Sequence, residues 1–348
     1  MRGERMKRLC TVLVALVLVL SACSPTGQRK MDEITFVIPV SEMGLPYAEF
    51  VVADELGYFA EENLKVRVEL QPGLTDGIKA VAAGAAQFVF PAPNVVMIGR
   101  SKDLPIVTVF GSVQRYQFGF ATLADSPISG IPALKGKTIG LPVAGTETIV
   151  IPIARAAGVA ENDIKLEIVG FDARPVALTQ KRVDAVLTWD TEFATWQAKG
   201  LALKFFPGYE YLDYVGNGIA TSEKIIKENP DLVRRFLRAT VKGMIFEEAN
   251  PQATVAIVKK RYPEAVQDEA SALAVLDAAI RRTRSTYTQQ HGLGWLRPEP
   301  WQKQQADMLA LNLLDKATDV QAMITNQFIA DANRVDKEKI AKQAREYK

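Results

Sequence analysis

The chain has 348 residues, 48% of them hydrophobic and 24% charged, with 42 Lys and Arg against 40 Asp and Glu and a formal net charge of +2. So even a balance excludes a nucleic-acid footprint. One histidine and two cysteines leave too few side chains for a His-based triad, a His metal centre or a disulfide framework.

The first element is a leader. Arg2, Arg5, Lys7 and Arg8 outweigh Glu4, and an apolar run of 12 residues follows over 9–20. A helix needs about 20 residues to cross the hydrocarbon core, so the run reads as a signal peptide rather than a permanent span. Leu20, Ser21, Ala22 and Cys23 resemble the bacterial lipobox, whose cysteine is acylated. Residues 1–22 are therefore expected to be removed, with 23–32 left as a lipidated polar tether that places the body on the extracytoplasmic side of the cell membrane. The leader holds four of the 42 bases and one of the 40 acids, so cleavage leaves 38 against 39. Cys10 goes with it, and the remaining Cys23 cannot form an internal disulfide; stability must come from a core.

About 325 residues remain, more than one core usually supports, so two lobes are expected. In chain order the patterns predict a strand at 34–40, a helix at 47–63, a period-two strand at 65–70, a helix at 76–83, a strand at 87–90, a helix at 94–102 and a strand at 106–110. This βα succession predicts a largely parallel sheet covered by helices. The pattern then restarts, with strands at 119–123 and 138–141, a helix at 146–157, a strand at 165–169, a short helix at 174–179, a strand at 184–188 and a helix to 199. From 222 onward helices alone are expected. Asn229-Pro230 opens one over 231–250, Pro251 opens the next, and apolar-periodic stretches follow over 269–284 and 300–314.

Catalytic motifs are missing. There is no GxxxxGK[ST], GxGxxG, HExxH, Cys-x-x-Cys or GxSxG. His291, between Gln290 and Gly292, reads as an ordinary loop histidine. Asp190 and Glu192 are able to face a cleft together as an acid pair, but ligand hydrogen bonding or helix capping is the commoner role for such residues. The Arg281, Arg282 and Arg284 cluster reads as a solvated helix face.

Five segments occur in order: AxELGYFAEENLKV at 53–66, AVAAGAAQF at 80–88, DSPI with LKGKTIG within 125–140, GNGIATSEKIIKENP at 216–230 and WxxxxxDML at 301–309. Together they resemble the solute-binding proteins of ABC importers, in the family that includes thiamine-pyrimidine, riboflavin, taurine, alkanesulfonate and nitrate receptors. The resemblance implies an α/β protein of the type II periplasmic-binding fold: two doubly wound lobes around a ligand cleft, with a helical C-terminal extension. It implies lobes at 33–118 with 219–348 and at 119–218, hinged near 118–119 and 216–218, an ABC permease with its ATPase as partners, and no enzyme activity, cofactor or metal. The related fungal pyrimidine synthase uses an internal His and a Cys-rich iron loop, and this chain has neither.

Ligands of open α/β sheets collect beyond the carboxyl ends of strands. That rule nominates loops 41–47, 75–76, 91–94, 114–118, 144–148, 189–192 and 211–217, and within them Glu42, Tyr47, Asn94, Arg115, Tyr116, Gln117, Phe118, Thr146, Trp189, Asp190, Tyr214 and Asn217 as ligand contacts. Asp76 and Glu147 already occupy the positive ends of their helices, which disfavours an anion, and Arg115 is the only cation in these loops. The aromatic set suits a flat heteroaromatic solute stacked between rings. Thiamine-pyrimidine receptors carry Trp-x-Pro-Asn and a His after the first strand. This chain has Ile38-Pro39-Val40-Ser41-Glu42 there, which moves the expectation toward riboflavin, with the pyrimidine and sulfonates as alternatives.

Overall fold

The computed structural model describes residues 30–347; the leader, Cys23 and most of the tether lie outside them. The first sheet has strand order β2-β1-β3-β10-β4. Its strands are β1 (Asp32–Ile38), β2 (Leu64–Leu70), β3 (Phe88–Val89), β4 (Ile106–Phe110) and β10 (Ile219–Ser222). The second sheet, in the order β7-β6-β8-β5-β9, contains β5 (Phe118–Leu123), β6 (Thr138–Leu141), β7 (Lys165–Ile168), β8 (Ala185–Trp189) and β9 (Leu203–Pro207). Every residue of β4 is buried, whereas in the edge strand β2 only Leu64 is buried and exposed positions alternate with half-buried ones over Lys65 to Val68, the pattern of a strand with one wet face.

Both sheets are mixed, which corrects the expectation of largely parallel ones. β1 runs parallel to β3 and β6 parallel to β7 and β8. β10 lies antiparallel between β3 and β4, and β5 antiparallel between β8 and β9. β9 and β10 were not expected from the sequence. The two antiparallel strands, β5 and β10, are the ones that follow the crossings from one sheet to the other.

Helices cover the sheets: α1 (Ala48–Glu55), α2 (Tyr58–Glu61), α3 (Asp76–Ala82), α4 (Pro93–Ser101), α5 (Glu147–Ala156), α6 (Arg174–Thr179) and α7 (Asp190–Ala198). The helix expected over 47–63 is two helices, because Gly57 takes φ of 73° and ends the first. The remainder follows as α8 (Glu223–Glu228), α9 (Pro230–Ala249), α10 (Pro251–Arg261), α11 (Glu269–Arg282), α12 (Thr286–His291), α13 (Pro298–Ala310), α14 (Ile329–Ala332) and α15 (Lys337–Glu346). His291 ends α12 and stacks on Trp295 at 4.3 Å, so it belongs to a helix terminus rather than a free loop.

α9 anchors the first core. Asn229 caps it by accepting from the Leu232 N–H at 3.2 Å, and Phe236 stacks on Phe88 with ring centroids 4.2 Å apart. Its Gly243 lies so close to α1 that a Cβ would sit 2.1 Å from the Glu49 carbonyl oxygen. A second core continues from the first sheet into the second, joining Val37 and Val89 to Phe120, Ile139, Trp301 and Met308. Two bridges, Thr108 to Ile324 and Gly111 to Gly294, tie the C-terminal segment to the β4 region.

Candidate cleft between the two sheets

The two crossing segments are bonded to each other. Val113 N–H donates to the Asn217 carbonyl at 2.8 Å, and Gly216 N–H to the Val113 carbonyl at 2.9 Å. Their side chains continue the link: Gln117 Nε2 donates to Asn217 Oδ1 at 2.7 Å, and Asn217 Nδ2 donates to the Phe90 carbonyl at 3.1 Å. This amide clamp lies at the wall of an inner cavity of about 80 Å³. The cavity is lined from strand ends on both sides: Val40 after β1, Leu74 after β2, Ala92 after β3, Val143 after β6, Phe171 after β7 and Trp189 closing β8. Six carboxyl ends converging on one space is the geometry open α/β sheets use for ligands.

The walls are mainly apolar and aromatic. Phe118 meets Trp189 edge to face at 6.4 Å and Phe171 meets it at 6.3 Å. Behind Phe171 and Trp189 sits Arg174, fully buried, donating to the Phe171 carbonyl at 3.1 Å, to the Leu187 carbonyl at 2.6 Å and to Glu192 Oε1 at 2.6 Å. Thr188 Oγ1 donates to the other carboxylate oxygen of Glu192 at 2.7 Å. Burial raises the Glu192 carboxyl while Arg174 pulls it back; Glu192 thus braces the wall and forms no acid pair with Asp190.

Asp190 has a different partner. Arg282, at the end of α11, donates through Nη1 to Asp190 Oδ1 at 3.0 Å and Thr191 Oγ1 at 3.2 Å, and through Nη2 to the Pro46 carbonyl at 3.2 Å. It is 4% exposed and lines the inner cavity, which corrects its assignment to a solvated face. Behind it Glu49 and Glu247 are both buried. Burial pushes the Glu49 carboxyl up to about 7 against the pull of Arg282, and burial together with Glu49 holds Glu247 well above the ordinary range. Burial also raises the Tyr47 phenol.

An outer cavity of about 280 Å³ adjoins the inner one and shares Val40, Tyr47, Phe171 and Trp189 with it. Of the sequence-nominated residues, Tyr47, Gln117, Phe118, Thr146, Trp189 and Asn217 line the inner cavity, and Glu42 lines the outer one. Asn94, at the start of α4, donates to Thr148 Oγ1 at 2.9 Å and so bridges the two sides. Arg115, Tyr116 and Tyr214 are placed elsewhere. Arg115 lies 4.3 Å over the Tyr209 ring, in a third cavity that Tyr214 also lines; the Tyr214 hydroxyl donates to Asp307 at 2.6 Å. Tyr116 is buried against Phe118 and Tyr214.

Sequence reasoning passed over Phe171 and Arg282. The strand-end rule applied to β7 would have nominated Phe171. Arg282 follows Val275 by seven positions and Ala279 by three, so helical periodicity puts it on the buried face of α11.

Two mixed sheets flanked by helices, with a cleft lined from both, define a protein of the periplasmic-binding fold. The *Escherichia coli* periplasmic aliphatic sulphonate binding protein SsuA superposes with a TM-score of 0.68 at 15% identity, over 84% of this chain and 92% of that one. The chain belongs to the NMT1/THI5-like family, whose family model matches residues 46–254. It is 26% identical to the riboflavin-binding protein RibY of *Chloroflexus aurantiacus*, over 92% of this chain and 97% of the relative. It is 27% identical to the formylaminopyrimidine-binding protein of *Halalkalibacterium halodurans*, over 83% and 91%.

Proposed function

We propose that this chain is the extracytoplasmic solute-binding lipoprotein of an ABC importer, that it captures a flat heteroaromatic solute, with riboflavin preferred, and that it binds its solute without transforming it. The observation that carries the reading is the aromatic cleft of Tyr47, Phe118, Phe171 and Trp189 beside the Gln117–Asn217 amide clamp. Rings on several walls favour a π-faced solute, and the amides offer both donors and acceptors to ring heteroatoms. The family of the chain and the names of its relatives support the class.

Charge argues against an anion. Among the described residues, the one cation lining the inner cavity is Arg282, and it is matched by Asp190. At the start of α5, Glu147 Oε2 accepts from the Gly145 N–H at 2.7 Å, so the helix's positive end already holds a carboxylate.

In this reading residues 33–118 with 219–348 form one lobe and 119–218 the other, and they close on the solute about the paired crossings. Lipid at Cys23 raises the receptor's concentration beside its permease. Calorimetric titration of the folded body against riboflavin, the thiamine pyrimidine precursor and taurine tests the ligand. Saturable binding with flavin fluorescence quenching is the expected result; no heat with riboflavin and binding of taurine would overturn it.

A further inference from the structure

The outer cavity is larger than the inner one and opens from it past Tyr47 and Trp189. A flat ring seated against the inner walls would therefore direct any substituent outward into this second space. Among the described residues its lining carries Glu42, Asp172, Glu264 and Asp268 against a single cation, Lys199. Glu192 also lines it but is matched by Arg174 at 2.6 Å. None of the other four carboxylates is in an ion pair with a lining cation: Asp172 accepts from Ser41 Oγ at 3.0 Å, and Asp268 caps α11, accepting from the Ser271 N–H at 3.0 Å. Each carboxylate accepts several bonds and carries a charge that Lys199 alone does not balance, so the space is net negative and rich in acceptors.

We infer that the outer cavity is a tail subsite that selects an uncharged, hydroxylated substituent and rejects its phosphate ester. A hydroxyl supplies the donors the carboxylates lack; a phosphate brings only further acceptors and negative charge into a space that is already negative. The inference rests on the heteroaromatic reading above and adds to it the sign and chemistry of the tail.

The test varies ring and tail separately. The folded protein is titrated with riboflavin, its 5′-phosphate and tail-less lumichrome, and in parallel with 4-amino-5-hydroxymethyl-2-methylpyrimidine and its phosphate. In whichever ring series binds, the alcohol is expected to bind at least tenfold more tightly than the phosphate. If the flavins bind, lumichrome is expected to be at least fivefold weaker than riboflavin. The paired variant Glu42→Gln with Asp172→Asn should narrow the alcohol-to-phosphate ratio fivefold or more, both by weakening the alcohol and by easing the repulsion of the phosphate. These are exposed side chains, and an unchanged melting temperature shows that the variant folds. Binding only in the pyrimidine series, with the phosphate rejected, removes the riboflavin preference and keeps the subsite. A phosphate that binds as tightly as its alcohol, or a ratio the variant does not move, overturns the subsite. No binding in either series overturns both readings.

Discussion

At the scale of the residue, Trp189 and Glu49 carry opposite kinds of consequence. Trp189 is half-buried and held between Phe118 and Phe171, with the Arg174 guanidinium 5.2 Å from its ring. Its position is fixed before any solute arrives, so stacking costs little ordering entropy. Loss of one stacking platform is worth about 2 kcal/mol, or roughly 30-fold in Kd. Trp189→Ala should weaken solute binding by that factor with little change in melting temperature, and Trp189→Phe should restore most of it; calorimetry checks both. Glu49 instead affects the fold. Its carboxyl sits at about 7 in the folded protein against an ordinary 4.5, so between these values the folded state holds a proton that the unfolded chain releases. Stability is therefore greatest below about pH 4.5 for this group and falls as pH rises through 7, by up to about 3 kcal/mol. Glu247 shifts in the same direction and adds to the trend. Melting temperature should fall from pH 5 to pH 8, and Glu49→Gln with Glu247→Gln should flatten that slope.

At the scale of the element, the α1–α9 contact shows which of two small effects wins. Alanine at an exposed helix-interior glycine gains about 1 kcal/mol in propensity. At Gly243 the new methyl would lie 2.1 Å from a backbone oxygen of Glu49, and backbone on a packed helix cannot turn aside as a flexible side chain can. Overpacking of this kind costs about 3 kcal/mol, so Gly243→Ala should lower the melting temperature by several degrees in a calorimetric scan. The same elements show what local pattern reveals. The fully buried β4 and the α6 span were legible to the residue, because an unbroken apolar run and a short helix start leave few alternatives. β9 and β10 were not: LKFFP and IATS are too short for a period, and their antiparallel pairing depends on distant partners. The break at Gly57 hid inside a pattern that reads as helical on both sides. Much of the cleft was legible through the rule of strand ends, since Tyr47, Gln117, Phe118, Thr146, Trp189 and Asn217 all come from nominated loops. Arg115, Tyr116 and Tyr214 came from nominated loops too and were placed elsewhere, because a loop's position does not determine the direction of its side chains.

At the scale of the whole molecule, the question is what holds the two sheets together across the cleft. Among the described residues, side-chain bonds that span it join Asn94 to Thr148, Ser41 to Asp172, and Arg282 to both Asp190 and Thr191. They are not equal. Ser41 and Asp172 are exposed, and their bond competes with water. The Arg282 side chain is 4% exposed and that of Asp190 14%; removing one partner of such a pair costs about 3–5 kcal/mol, because the other charge stays buried. If the sheets move apart as the proposed capture cycle requires, the chain has an escape from that cost that a rigid core lacks, because opening the cleft would return Arg282 to water. Asp190→Asn should therefore penalise the closed arrangement rather than the fold. Solute affinity should drop about a hundredfold, close to 3 kcal/mol, while the melting temperature of the unliganded protein changes by only a degree or two. Small-angle scattering with solute at the wild-type saturating concentration should give a larger radius of gyration than for the wild type. Adding Arg282→Gln to Asp190→Asn removes the stranded charge and should recover part of the closure. A large fall in melting temperature at unchanged radius would show instead that the pair serves the fold, and the crossing segments with their Gln117–Asn217 clamp would then be left as the main determinant of closure.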